Sequence, residues 1–234
     1  MMTTDHDTFG DGGYTPDAER DTTLVLEAFV AHIANAVRER GLPECLTDDL
    51  TALHRELQVA NAHLIDDEPS RHNLRITLAL VAAYRILRPH LDRDDAVALV
   101  RDAIVEPLGA ITEAATAAML DAAPDPFAAI VALSKSREEE SFGRTFTFVR
   151  PADDDRRYLL DIHRCFYHDV LVANSAPELT PAMCAFDLNW IRAIDPNRHG
   201  LRFDRVGTIG HGDTHCTFHF HRTDPPEPPV VDEG

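Results

Sequence analysis

The sequence predicts an α+β fold: an N-terminal helical bundle region followed by a small antiparallel sheet packed with helices. Three observations predict it. From Thr22 to about Ser136 the chain is rich in Ala, Leu, Val and Arg with helical periodicity. From Phe142 the period of apolar residues shifts to two. The second half then reads strand, strand, helix, helix, strand, strand, without any internal repeat.

The first helix carries Leu24, Ala28, Ala31 and Asn35 on one row, with Leu26, Phe29 and Ile33 beside it, and ends at Gly41 and Pro43. A second is expected over Thr47–Leu64 under a Thr47 cap, and a third from Asn73 to Leu87, ahead of Pro89. A fourth starts at an Asp92 cap and stops before Pro107, and shorter helices follow over 109–121 and 125–135. Their apolar stripes are wide enough to bury against one another, as in a bundle. The run GRTFTFVRP places Phe146 and Phe148 on one strand face and Thr145, Thr147 and Val149 on the other. PADDD is a turn and RRYLLDIHRC its hairpin partner. Helices over 166–174 and 181–193 and strands over 201–209 and 214–221 complete the fold. The division is therefore 1–20 disordered, 21–138 helical, 139–222 α+β, and 223–234 a Pro-rich disordered tail.

Composition narrows the function. The formal net charge is −18, and Lys135 is the only lysine. Such a chain has no basic patch to offset phosphate charge and no Gly-Lys-Ser/Thr phosphate loop, so the expected partner is a small molecule, not nucleic acid or a membrane surface. No unbroken apolar run reaches the roughly 18 residues of a membrane span. The polar, acidic N-terminus is unlike a signal peptide. The expected compartment is the cytoplasm, where the four cysteines stay reduced, available for thiol chemistry or metal binding. HExxH, CxxC, GxSxG and GxGxxG are all absent. Oligomeric state is left open.

Three cysteines in the last third carry the interest. Cys184 follows a Thr180-Pro181 helix start, where first-turn amides would favour a thiolate, with Asp187 one turn on. Asp187 serves equally as a ligand for substrate or as a general base, and the bland alternative is a buried cysteine with a solvated Asp. Cys165 lies at a strand-to-helix junction, alternating with His163 and Asp161 and followed by His168 and Asp169. A Cys–His pair is the minimal activated nucleophile, against which stands a purely structural thiol. Cys216 shares the apolar face of its strand with Phe218 and Phe220, while His215, Thr217, His219 and His221 occupy the other. His219 and His221 are spaced as a metal-binding pair, although an imidazole row on an open sheet face is more often only solvated. Gly210, His211 and Gly212 form a turn open to close approach by a ligand.

Together, Arg164–Cys165, Cys184–Asp187, and Gly212, Cys216 and Phe218 resemble the C-terminal signature of the L-2-amino-thiazoline-4-carboxylic acid hydrolase family, over about residues 140–222. The helical half resembles that family only in type. The resemblance implies hydrolysis of a cyclic C–N or C=N bond outside peptides. Water adds to the amidine-like carbon of a thiazoline ring, which opens to an N-carbamoyl cysteine. It implies a thiol nucleophile (Cys184 or Cys165), Asp187 or His168 as acid/base, and Arg164 as partner of the substrate carboxylate. Cys216, Gly212 and His211 complete the expected substrate-binding set. No cofactor and no metal ligands are expected; a Cys/His metal enzyme and a non-catalytic binding protein stand as alternatives.

Overall fold

A computed structural model describes residues 17–223. The expected disorder of the tail and of most of segment 1–20 lies outside those residues. Helix α1 (Ala18–Glu39) begins at Ala18, inside that segment, because Asp17 accepts the Arg20 amide and caps it. Its buried row is Thr22, Phe29, Ile33, Ala36 and Val37, whereas Leu24 of the expected row is exposed. Gly41 ends it at φ +63°.

Helix α2 (Leu46–Ala60) passes into a 3₁₀ turn over Ala62–Leu64, and Thr47 does not cap it. Helix α3 (Glu68–Leu87) starts five residues earlier than Asn73, at a capping box between Asp67 and Ser70 with Pro69 in the first turn. Buried on most of its surface, α3 packs against α1, α2, helix α4 (Arg93–Val105) and helix α7 (Phe166–Ala173). Its Leu74, Leu78, Leu80 and Leu87 are fully buried, each contributing about 1.5–3 kcal/mol of transfer free energy. Asp92 caps α4 as expected.

Helix α5 (Gly109–Ala122) and helix α6 (Pro126–Arg137, capped by Asp125) follow. Counted through the break between α4 and α5, Arg93–Ala122 contains an 18-residue window that is by length and composition apolar enough to cross a membrane, 22% of it buried. No unbroken apolar run is involved: alanines and branched aliphatics around isolated charges keep the mean hydropathy high. The chain continues from α6 as a π-helical turn over Glu138–Phe142 and a 3₁₀ turn over Gly143–Thr145, where a strand was expected. Buried Glu138 fixes this turn through Tyr158 and Arg150.

Strands β1 (Thr147–Asp153), β2 (Arg157–Arg164), β3 (Leu201–Asp204) and β4 (Cys216–Arg222) form one antiparallel sheet in the order β1-β2-β4-β3. The pairings Tyr158↔Phe220, Leu160↔Phe218 and Ile162↔Cys216 set the inner face. One core cluster joins α1–α4, α7 and helix α8 (Thr180–Phe186) to Phe146, Ile162 and Cys216. A second joins α5 and α6 to Tyr158, Leu160, Leu201 and Phe220. Phe148 and Phe218 touch both.

Two further differences matter to the site. The helix expected over 181–193 breaks at Asp187 into α8 and α9 (Leu188–Ile191), and the short α10 (Pro196–His199) precedes β3. The strand expected over 201–209 ends at Asp204. The Asp213 carboxylate accepts the Thr208 amide and the Thr217 hydroxyl accepts the Val206 amide, drawing Arg205–His211 out of the sheet into a loop and a 3₁₀ turn.

Candidate functional site

Where the two cores meet on the inner sheet face, a cavity of about 90 Å³ remains, room for several waters or a compact ligand. Its walls are mainly apolar: Ile130, Leu133, Phe146, Leu160, Phe218 and Phe220 among them. Into it converge Cys165, Cys184, Cys216 and Asp187, together with Arg205, Arg137, Tyr167, Thr180 and Thr208. A few polar groups converging in an apolar pocket form the usual outline of a small-molecule site.

Cys165 sits between β2 and α7 and is turned to the cavity. Its expected strand-face neighbours lie elsewhere: His163 stacks on His215, and Asp161 accepts from His219 at 2.8 Å. Burial pushes the Cys165 thiol up to about 12, opposed by the amides of His168 and Tyr167 at the start of α7. Burial likewise lifts Cys216 to about 11, against a hydrogen bond from the Ile209 amide at 3.2 Å. The three sulfurs are near enough that each of these two is further discouraged from ionising by Cys184.

Cys184 is the fifth residue of the seven-residue α8, too deep for the first-turn amides the sequence suggested. Nor does Thr180 cap that helix; its hydroxyl pairs with His168 Nδ1 at 3.0 Å. The donors that face the Cys184 sulfur come from the loop leaving the sheet, the Thr208 hydroxyl and the Gly210 amide. Burial still raises this thiol, with Asp187 adding to the rise. Gly210 is required by space, since a Cβ there would stand 2.7 Å from Cys184 Sγ and 3.1 Å from the Thr180 carbonyl carbon.

Asp187, at the break between α8 and α9, keeps 30% of its side-chain surface open to the cavity. Arg205 Nη1 donates to its Oδ2 at 3.2 Å and to the Cys184 carbonyl at 3.0 Å. Burial raises Asp187 to about 6, against the pull of Arg205, a hydrogen bond from Trp190, and Arg137. A carboxyl poised there exchanges protons near neutral pH.

The remaining expected residues stand outside the cavity wall. Arg164 is turned outward to Asp169 at 2.7 Å, so the cations lining the cavity are Arg205 and Arg137. His168 reaches the cavity only through Thr180, and His211 only through the Thr208 hydroxyl at 2.8 Å. Gly212 closes the 3₁₀ turn at φ +96°. His219 and His221, considered as a metal pair, are held by different carboxylates, Asp161 and Asp204. Among the described residues no group of three His, Cys, Asp or Glu side chains is arranged to hold a metal.

Sequence reasoning missed Arg205, Arg137, Tyr167, Thr208 and Trp190. Arg205 alone had a local signal, a cation between a strand end and a Gly-rich turn. Arg137 lies in the run KSREEE, which reads as solvated surface.

Compared with known proteins, residues 72–220 match the family model described as L-2-amino-thiazoline-4-carboxylic acid hydrolase. No curated protein and no solved structure matches. The match begins in α3, well before the 140–222 segment that carries the visible motifs, and so takes in every element that lines the cavity. It also spans more than half of the chain. The chain belongs to the L-2-amino-thiazoline-4-carboxylic acid hydrolase family.

Proposed function

We propose that this protein hydrolyses a small thiazoline or related cyclic amidine, with Cys184 as nucleophile and Asp187 as its proton partner. The observation that carries the reading is the convergence of Cys184, Asp187 and Arg205 with Cys165 and Cys216, from separate elements, on one compact cavity. The family's name supplies the substrate class.

The chemistry follows from the pKa order. Of the three sulfurs, Cys165 and Cys216 are driven to about 12 and about 11, while Cys184 has the Thr208 hydroxyl and the Gly210 amide to support a thiolate. Ionised Asp187 takes the Cys184 proton as Sγ bonds to the ring carbon flanked by nitrogen and sulfur. The bond from that carbon to the ring sulfur breaks, and the departing sulfur takes the proton from Asp187. Water then attacks the same carbon, giving one proton to Asp187 and the other to the former ring nitrogen. The proton on Asp187 returns to Cys184 Sγ as the second carbon–sulfur bond breaks, releasing the N-carbamoyl product.

A second reading has one observation in its favour: burial raises all three thiols. Asp187 would then activate water directly and the sulfurs would only line the pocket. Mass spectrometry of thiazoline acids and cyclic amidines incubated with the protein separates the two. Cys184→Ala is expected to lose at least about 100-fold in turnover. Cys45→Ala, altering an exposed residue outside the cavity, should match the wild type. Full turnover by Cys184→Ala removes the thiol from the reaction and leaves the water route. No turnover of any such substrate by the wild type sinks both.

A further inference from the structure

The cavity holds two guanidinium groups, and only one of them is engaged. Arg205 is tied to Asp187 and to the Cys184 carbonyl. Arg137 also lines the cavity, yet among the described residues no carboxylate or hydrogen-bond acceptor pairs with it. In a chain with 40 acidic against 22 basic residues, an arginine that faces a mainly apolar cavity and forms no ion pair is conspicuous. Its stem is the last residue of α6, and the turn that follows is anchored at several points. Glu138 is buried against Tyr158 and Arg150, and Asn73 donates to the Ser141 carbonyl at 2.8 Å. Asn73 also accepts the Tyr167 hydroxyl at 3.0 Å, so the same fastening positions a cavity wall. A π-helical turn at this point is a common mark of a functional position. Arg137 is also close enough to Asp187 and Tyr167 to influence both electrostatically.

We propose that Arg137 is the anion anchor of this cavity, binding the carboxylate of a small cyclic acid and so setting the preference for acids over neutral analogues. The proposal rests on the hydrolase reading for the identity of the ring, but not for the anion. Arg164, turned outward to Asp169, is not placed for this role, and Arg205 is occupied by the proton partner. A guanidinium offers a carboxylate two parallel donors, and the apolar walls around it strengthen that pairing. A substrate held by its carboxylate at Arg137 would have its ring confined among the thiols, which limits the rings accepted to those of thiazoline size.

The chain contains a built-in reporter. Trp190 is its only tryptophan and lines the same cavity, so its emission reads occupancy directly. The full-length protein is titrated with 2-amino-thiazoline-4-carboxylate and with the corresponding 4-carboxamide. The wild type is expected to bind the acid at least about tenfold more tightly than the amide. Arg137→Gln should weaken acid binding by about 10- to 100-fold while leaving the amide unchanged. Arg137→Met, which keeps the apolar stem in place, gives the same readout if the glutamine variant fails to fold. A wild-type cavity that binds neither compound, or that does not distinguish them, overturns the proposal. So does an acid preference that survives intact in a folded variant. Failure of the hydrolase reading shows separately, as acid bound through Arg137 but recovered chemically unchanged.

Discussion

Asp187 links the chemistry of the cavity to its cost in stability. Its folded pKa of about 6 lies above the ordinary 3.8, so folding favours the protonated form. Stability from the neutral carboxyl is fully present below about pH 4 and is lost as pH rises through about 6. The difference is on the order of 2–3 kcal/mol. Asp187→Asn carries no such charge. Urea denaturation at pH 4.5 and 7.5 is therefore expected to show the wild type losing ground to this variant at the higher pH. A stability difference that does not change with pH would contradict the raised pKa. In turnover the wild-type rate should rise through about pH 6 as Asp187 ionises, and Asp187→Asn should lose both that limb and about 100-fold in rate. These residues differ in how readily sequence revealed them. Cys184 and Asp187 stand one turn apart in a single segment, so their pairing was legible. Arg205 and Arg137 enter the cavity only through long-range folding; Arg205 had a weak local signal beside its Gly-rich turn, and Arg137, in a charged run, had none.

At the scale of elements, the loop from Arg205 to His211 does the most to build the site. A regular strand there would have alternated its side chains across the sheet. Leaving the sheet instead brings Arg205, Thr208 and the Gly210 amide to Cys184. The departure was hidden from a reading by alternation because it is enforced by contacts across the loop, Asp213 on Thr208 and Thr217 on Val206. Gly210→Ala tests how tightly loop and helix meet. Its Cβ would stand 2.7 Å from Cys184 Sγ with the Thr180 backbone close behind. The sulfur, as the movable side-chain atom, must give way. We expect an altered rate of Cys184 alkylation and loss of most turnover, with thermal stability lowered by about 1–3 kcal/mol equivalent. An unchanged alkylation rate would mean that the loop yields instead. Helix existence, by contrast, was read well from caps and periodicity, as at Asp92 and Gly41. The start of α3 was missed because its capping box, Asp67 with Ser70, is separated from the obvious apolar run.

Across the whole molecule, the helical and sheet regions are less separate than their composition suggests. The larger core cluster runs from Phe29 and Leu78 to Ile162 and Cys216, and Phe148 and Phe218 join it to the smaller one. Regions that bury the same side chains lose them together. Far-UV circular dichroism follows mainly the helices, and Trp190 emission follows the sheet side. Their urea transitions are expected to coincide, and two separated midpoints would show that the regions unfold independently. The α+β class was legible because the change of period at Phe142 is sharp. The seam between the cores was not, since a cavity is set by how side chains from both halves fail to fill the space between them.

The same enclosure that lifts the cavity sulfurs also shelters them at rest. Peroxide and air attack thiolates, and groups held at about 11 and about 12 present almost none at neutral pH. Cys45, exposed and outside the cavity lining, is the sulfur such reagents reach first. A purified sample kept in dilute hydrogen peroxide is accordingly expected to lose one countable thiol early, with catalytic competence declining only much later.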